Sequence, residues 1–292
     1  MPPEPLIVPG LAAVVDRYDA FILDLWGTIH NGVAPLPGAV DCLYALKAAG
    51  RRMLILSNAP RRIPAVVERL DAVGIPRDAY DDVLSSGEAA WLALYERTEP
   101  WHAALGRRAF VIGEAGDESV LQDQDIAEVE TVDEADFVVC VGVYRRSDTL
   151  DAYEGLLAEI RARDLPMVCV NPDLEVIRGD RRELCAGALA ARYEALGGAV
   201  RYHGKPHRPI YTLSFARLGL HGPERALAVG DSLRTDIAGA RTVGMDSLFI
   251  AGGLMADELG LAPGAAPDPA ALDDLFARHG ARPTYTASAF RW

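Results

Sequence analysis

Asp24 closes the apolar run Phe21-Ile22-Leu23 and is followed at once by Leu25-Trp26-Gly27-Thr28. A carboxylate at the end of a buried strand, with a glycine turn behind it, is poorly suited to a core. It is well suited to the crevice at the carboxyl edge of a parallel sheet, where open α/β proteins bind ligands. There it can act as a nucleophile and form an aspartyl-phosphate. Three other segments have the same character. Ser57-Asn58 ends the run Met53–Leu56, Gly230-Asp231 ends Ala226–Val229 with Asp236 five residues on, and Lys205 stands before a proline that opens a helix. A strand-terminal Asp taken alone is often only a helix N-cap. Taken together, a nucleophile, a hydroxyl, a cation and a second acidic cluster are the parts of a phosphoryl-transfer site.

These residues need a scaffold that brings strand ends to one edge. Short apolar runs alternate with amphipathic stretches, the signature of a mostly parallel sheet with crossover helices. Strands are expected at 21–23, 53–56 and from 83, with helices at 37–49, 64–73 and 86–97. Asn31-Gly32 signals a small hairpin after the Asp24 turn. A second αβ pattern follows, with strands at 109–112, 137–143 and 167–170 and helices at 149–163 and 187–196. The first pattern resumes near Val200: helices at 210–218, 234–243 and 270–279, strands at 226–229 and 247–250. The aromatic tail 281–292 is expected to pack on the core. The expected organisation is therefore α/β, with core segments at 1–100 and 201–292 and an inserted α/β domain at 101–200.

Bulk properties limit the function classes. The chain has 292 residues, enough for one large or two smaller domains. Half the residues are apolar and mean hydropathy is +0.07, as in a soluble globular protein. The net charge is −13 and no Lys/Arg block offers a phosphate-backbone footprint, so nucleic acid is not an expected partner. The apolar runs are strand-sized, so no membrane span is expected. Met1–Pro5 lacks the basic and apolar regions of a signal peptide. Cys42, Cys140, Cys169 and Cys185 are scattered, without a C-x-x-C pair. A reducing, cytoplasmic setting is the expectation.

The four segments, Asp24-Leu25-Trp26-Gly27-Thr28, Ser57-Asn58, Gly204-Lys205-Pro206 and Gly230-Asp231-Ser232-Leu233-Arg234-Thr235-Asp236-Ile237, resemble the four ordered motifs of the haloacid dehalogenase (HAD) superfamily. The long segment between the second and third, with Asn171-Pro172-Asp173 inside it, resembles the class IIA, or NagD-type, phosphatases. The resemblance covers nearly the whole chain and is most specific in the fourth motif, which continues through Ala238-Gly239-Ala240-Arg241 and Gly244. It implies a Rossmann-like core with an inserted α/β cap of the C2 type, acting on a small phosphorylated metabolite. It implies that Asp24 attacks phosphorus. It also implies that Mg²⁺ is held by the Asp24 carboxylate, the Trp26 carbonyl and Asp231, with Asp236 helping directly or through water. Ser57 and the Asn58 N–H would hold phosphate oxygens, and Lys205 would hold the charge of phosphate and nucleophile. The family also makes a homodimer through the cap a reasonable expectation.

The chain departs from the family at Trp26. Phosphatases of this superfamily usually carry a second Asp there, which protonates the leaving alcohol and later deprotonates water. An indole N–H does not titrate usefully. Losing such a group costs about 10²–10⁴ in rate. The metal need not suffer, since that position gives only its main-chain carbonyl. Four readings follow. His30 could supply the proton, or could only pack or cap the turn. The substrate could carry a good leaving group, such as an acyl or aryl phosphate. The chain could be a binding or regulatory protein with weak activity. Or it could be a dehalogenase, whose family members carry an aromatic residue here and no metal; Asp231 and Asp236 speak against that.

The inserted region should set specificity by covering the site. Its candidates are Tyr144-Arg145-Arg146, Asn171-Pro172-Asp173 and Arg178. Arg145 could read a carboxylate or second phosphate, or be a solvated surface residue. Asn171 could face substrate, or belong to a turn. Cys185 could be a thiol near the substrate or a helix-packing residue, and the indoles of Trp91 and Trp101 read as core or interface residues. His203 and His207 flank Lys205 and could adjust phosphate binding, but their spacing matches no zinc pattern.

Overall fold

Alternating strands and helices build two parallel sheets from one chain. The structure is a computed structural model describing residues 6–114, 118–178, 181–262 and 264–292. In chain order, the first strands are β1 (Leu6–Ile7), β2 (Ala20–Leu23), β3 (Arg52–Ser57) and β4 (Asp82–Ser85). Next come β5 (Arg108–Ile112), β6 (Ala127–Val129), β7 (Phe137–Cys140) and β8 (Met167–Cys169). The ribbon strands β9 (Glu175–Arg178) and β10 (Arg181–Leu184) and then β11 (Val200–Tyr202) follow, and the chain ends with β12 (Ala226–Gly230), β13 (Asp246–Ile250) and β14 (Tyr285–Ala287). The helices are α1 (Ala39–Ala48), α2 (Ile63–Ala72), α3 (Ser86–Glu96), α4 (Pro100–Ala103), α5 (Glu154–Ala162), α6 (Ala186–Ala195), α7 (Arg208–Arg217), α8 (Ala238–Val243) and α9 (Pro269–His279).

Packing divides the chain into two units. One comprises Met1–Ser57, Val67–Leu84 and Lys205–Trp292, and the other Asn58–Val66 and Ser85–Gly204. The sequence reading puts the first boundary near 100, whereas the packing divides at 85. The reason lies in α3: Ala90 and Leu94 are buried in one cluster with Ala109, Phe137, Val139 and Val168 of the second sheet. A helix goes with the surface that covers its apolar face.

In the first unit the described strands form one sheet in the order β1-β14-β13-β12-β2-β3-β4. The pairings from β1 through β14, β13, β12 and β2 to β3 are parallel. Every residue of β2 and β12 is buried, as expected of strands covered on both faces. The chain runs outward from β2 to β3 and β4 on one side, and from β12 to β13 and β14 on the other. The strand order therefore reverses between β2 and β12, and such a reversal opens a crevice at the carboxyl ends. The tail contributes β14, which extends this sheet, and Phe290 is buried.

The second unit has a parallel sheet in the order β11-β8-β7-β5-β6 and the antiparallel ribbon β9–β10. The ribbon is missed in the sequence because Arg181-Arg182-Glu183 shows no apolar alternation. The expected strand 137–143 ends at Cys140, and the expected helix 149–163 opens with a 3₁₀ turn, Leu150–Tyr153, before α5. Among the described residues no helix is long and apolar enough to cross a membrane. Met1–Pro5, read above for a leader, lies outside the described residues, as does the Arg178 side chain.

Candidate active site

The sheet register brings the strand-end residues together. Leu23 pairs with Val229 of β12 and with Ile55 of β3. Asp24 is thus level with Gly230, and Asp231 and Ser57 each stand one residue further along at the same edge. Asp24 is anchored by its own N–H, which donates to the Val229 carbonyl at 2.8 Å. Asp236 lies in a π-helical turn, Leu233–Ile237, where the sequence reading expects a plain helix. Such turns widen the backbone ladder and are frequent at functional sites. The Ser232 hydroxyl caps the turn by accepting the Thr235 N–H at 3.2 Å, and the Ser232 N–H donates to Asp236 Oδ2 at 3.1 Å.

Asp24, Asp231 and Asp236 each offer a carboxylate oxygen, and these oxygens lie within 4.8 Å of one another, the geometry of a cation site. All three residues are buried, as is Lys205. Lys205 Nζ donates to Asp24 Oδ1 at 2.5 Å and to Asp236 Oδ1 at 2.7 Å. Among the described residues, Asp24 Oδ2 is buried without a hydrogen-bond partner.

The electrostatics follow from burial first and crowding second. Burial, then repulsion from Asp24 and Asp236, pushes Asp231 well above the usual carboxylate range. Burial and Asp24 push Asp236 to about 7, although Lys205 pulls the other way. Burial alone would depress Lys205, but Asp236 and Asp24 outweigh it and hold the ammonium charged. One lysine does not neutralise three close carboxylates, and a divalent cation would relieve the remaining repulsion.

Several supporting residues escape the sequence reading. The Leu254 N–H donates to Asp231 Oδ2 at 2.7 Å. A Cβ on Gly253 would lie 2.3 Å from the Asp231 Cβ, and one on Gly230 2.2 Å from the Asp236 Cγ. Gly27 is the tightest of these positions: its φ is +83°, and a Cβ there would lie 1.9 Å from Asp231 Oδ2. Only glycine meets both demands. A signal for the Gly253 loop was present, since Ala251-Gly252-Gly253 follows a strand as the other motifs do.

The segment after Asp24 is a compact loop rather than a hairpin with regular strands; isolated bridges join Trp26 to His30 and His30 to Pro35. His30 is 2% exposed, and its Nδ1 accepts the Gly32 N–H at 2.7 Å. Its carbonyl accepts the Gly27 N–H at 2.8 Å, and its ring meets the Trp26 indole edge-on at 5.3 Å. Burial pushes His30 down to about 4, against the pull of Asp24.

The remaining candidates belong to the second unit. Asn58 follows Ser57 in the chain, and its side-chain amide donates to Asp173 Oδ1 at 2.9 Å. Asn171 Oδ1 accepts the Asp173 N–H at 3.0 Å, the turn geometry weighed above. Arg145 is exposed, and its N–H donates to Asp148 Oδ2 at 3.1 Å. Cys185 is the buried residue preceding α6, and Trp91 and Trp101 pack against the cluster that includes Leu94 and Phe137.

Comparison with known proteins shows the family. A crystal structure of a hydrolase of the haloacid dehalogenase-like family from Brucella suis 1330 is 35% identical, with a TM-score of 0.82, over 97% of this chain and 100% of that one. The chain belongs to the haloacid dehalogenase-like hydrolase family. Residues 21–127 match the family described as haloacid dehalogenase-like hydrolase, and residues 202–278 match the one described as HAD-hydrolase-like. These two matches contain Asp24, Ser57 and Asn58 on one side and Lys205, Asp231 and Asp236 on the other. D-glycerol 3-phosphate phosphatase of Mycobacterium tuberculosis is 28% identical over 96% of this chain and 72% of its own length. A structure of glycerol phosphate phosphatase from that organism in complex with magnesium aligns with a TM-score of 0.69 at 25% identity, over 94% of this chain and 76% of that one. Ribonucleotide monophosphatase NagD of Escherichia coli is 25% identical over 80% of this chain and 87% of its own length.

Proposed function

We propose that this HAD hydrolase is a Mg²⁺-dependent phosphohydrolase of the NagD-like class, acting on a small phosphorylated metabolite through an aspartyl-phosphate on Asp24. The observation that carries the reading is the buried trio Asp24, Asp231 and Asp236, with Lys205 bridging Asp24 and Asp236, at the carboxyl edge of the first sheet. The trio fits a hard divalent cation, being all oxygen, acidic, and buried and crowded enough that two of its pKa values are raised. Asp24, Asp231, Asp236 and the Trp26 carbonyl would hold it. A bound Mg²⁺ neutralises charge between the phosphate and the Asp24 carboxylate, so that two anions can approach.

The protein's own groups divide the remaining work. Asp24 attacks phosphorus with one carboxylate oxygen while Lys205 holds the other and fixes the rotamer. The Lys205 ammonium also offsets charge that gathers on the transferring group. The Ser57 hydroxyl and the Asn58 N–H bind phosphate oxygens. Asn171 and Arg145 are assigned to binding the rest of the substrate, and a homodimer through the inserted domain belongs to the same reading. Light scattering tests the dimer.

The test is phosphate release from aryl, acyl and alkyl phosphates with and without Mg²⁺. Metal-dependent turnover that Asp24→Asn abolishes is the expected result. Turnover unchanged in Asp24→Asn would overturn the mechanism. Trp26 favours a second reading, a binding protein with weak activity; it predicts Mg²⁺ and phosphate binding with only weak turnover on every substrate. Haloacid dehalogenation is disfavoured by the clustered Asp231 and Asp236, which a metal-free displacement does not need.

A further inference from the structure

If Asp24 is a phosphoryl acceptor, as proposed above, the leaving oxygen needs a proton unless it departs as a stable anion. The first unit offers few groups to give one. Asp231 and Asp236 belong to the carboxylate cluster, and Lys205 is held by two carboxylates at 2.5 and 2.7 Å. The buried Tyr211 hydroxyl faces the Thr235 carbonyl at 3.4 Å. The residue two after the nucleophile is Trp26, whose indole N–H is a donor but not an acid.

The loop is built around that indole. Gly32 has φ +86°, and a Cβ there would lie 2.2 Å from Trp26 Cη2, so the ring occupies the space a side chain would fill. Arg69 fixes the same glycine by donating to its carbonyl at 2.5 Å. His30 meets the ring edge-on at 5.3 Å, and its Nδ1 lone pair is committed to the Gly32 N–H at 2.7 Å. His30 thus holds the turn and the indole. It is a positioning residue in this geometry, and Trp26 is a fitted part of the loop.

We propose that this site is specific for phosphoryl groups on acyl or aryl oxygen, whose leaving groups need no proton, and discriminates against alkyl phosphate esters. The conjugate acids of such leaving groups have pKa values of about 4 for a carboxylic acid and about 10 for a phenol, far below an alcohol's. In the first step the Asp24 oxygen forms a bond to phosphorus. The bond from phosphorus to the leaving oxygen breaks, and its electron pair departs on a carboxylate or phenolate. In the second step water attacks phosphorus, and the bond to Asp24 breaks with its pair returning to the carboxylate. One water proton shifts to a phosphate oxygen, and dihydrogen phosphate leaves. No side chain of the loop takes that proton, so the second step is the slow one and aspartyl-phosphate accumulates.

The experiment uses the full chain with Mg²⁺ and three probes: acetyl phosphate, p-nitrophenyl phosphate and glycerol phosphate. The first two are expected to exceed the third in kcat/KM by about 10²–10⁴, the worth of a general acid. Rapid mixing with p-nitrophenyl phosphate is expected to give a burst of p-nitrophenol close to one per active site, absent in Asp24→Asn. Trp26→Asp is expected to raise glycerol phosphate turnover at least tenfold over Trp26→Asn, which has the same size and no proton to give. Neither the native ranking nor the burst depends on those variants folding. Glycerol phosphate within tenfold of p-nitrophenyl phosphate would overturn this inference and leave the phosphatase reading standing, as would turnover without a burst. Silence on all three probes would overturn the phosphatase reading and this inference with it.

Discussion

The chain contains two parallel sheets of similar construction, yet they end in opposite chemistry. In the first unit, β2 and its neighbours deliver Asp24, Ser57 and Asp231 to one edge. In the second, β7 and β8 pair with Cys140 opposite Cys169, and both thiols are fully buried. Burial pushes the Cys140 thiol up to about 12, and that of Cys169 rises by the same cause, so both are neutral and unreactive at physiological pH. A sheet edge is therefore not enough to make a site. The first edge carries charge because it has groups that support charge: the Lys205 ammonium on Asp24 and Asp236, the Leu254 N–H on Asp231 and the Ser232 N–H on Asp236. The second edge has neutral thiols facing carbonyls, with Cys169 Sγ 3.4 Å from the Asn171 carbonyl. A lone carboxylate placed there would meet the full cost of burying a charge.

The strongest way to break this contrast is to remove the cation. Lys205→Met is expected to lower turnover by about 10²–10³, the scale of losing one preorganised electrostatic donor. It should also bring three carboxylates into unrelieved repulsion, so that Mg²⁺ stabilises the variant against heat more than it stabilises the native chain. Equal stabilisation of the two would mean that Lys205 does not share the electrostatics of the trio.

A smaller effect should follow from pH. Asp236 carries a raised folded pKa of about 7, so below that value it holds a proton that a metal must displace. Mg²⁺ affinity is expected to fall by up to about tenfold per pH unit as pH drops below about 7, and calorimetry in two buffers should detect proton release. The sign for folding is the reverse. In the metal-free protein a raised carboxylate contributes stability below the unfolded value of 3.8, and this is lost as pH rises through about 7. Mg²⁺ affinity flat from pH 6 to 8 would contradict the crowding argument.

The smallest effect belongs to the second edge. Cys140→Ala is expected to cost about 1 kcal/mol of stability, the usual size for a small buried deletion, with Mg²⁺ affinity and kcat unchanged. Chemical denaturation and a turnover assay read the two quantities separately. A loss of activity with stability intact would give the second edge a role that its neutral thiols do not suggest.

Much of the first edge was legible because its residues break the local pattern. Asp24, Ser57-Asn58 and Asp231 each end an apolar run, and polar residues there serve no core. The supporting glycines were not legible as a set, since Gly27, Gly230 and Gly253 matter through carboxylates that the fold brings beside them. The ribbon β9–β10 left no apolar alternation to read. The place of α3 depended on which surface covered Ala90 and Leu94, and no window of sequence contains that surface.

His30 shows the same division at one residue. Its sequence position, four after the indole, allows an acid or a structural role equally. Only the folded loop shows Nδ1 taken up by the Gly32 N–H and the ring set against Trp26. The sequence by itself determined the fold class, the order of the four motifs and the absence of an acid at Trp26, because periodicity and side-chain type are local properties. The tertiary structure decided which carboxylates meet, how far their pKa values move and which glycines must stay glycines. Those depend on distances between residues up to about two hundred positions apart, which strand register and burial set and chain order does not.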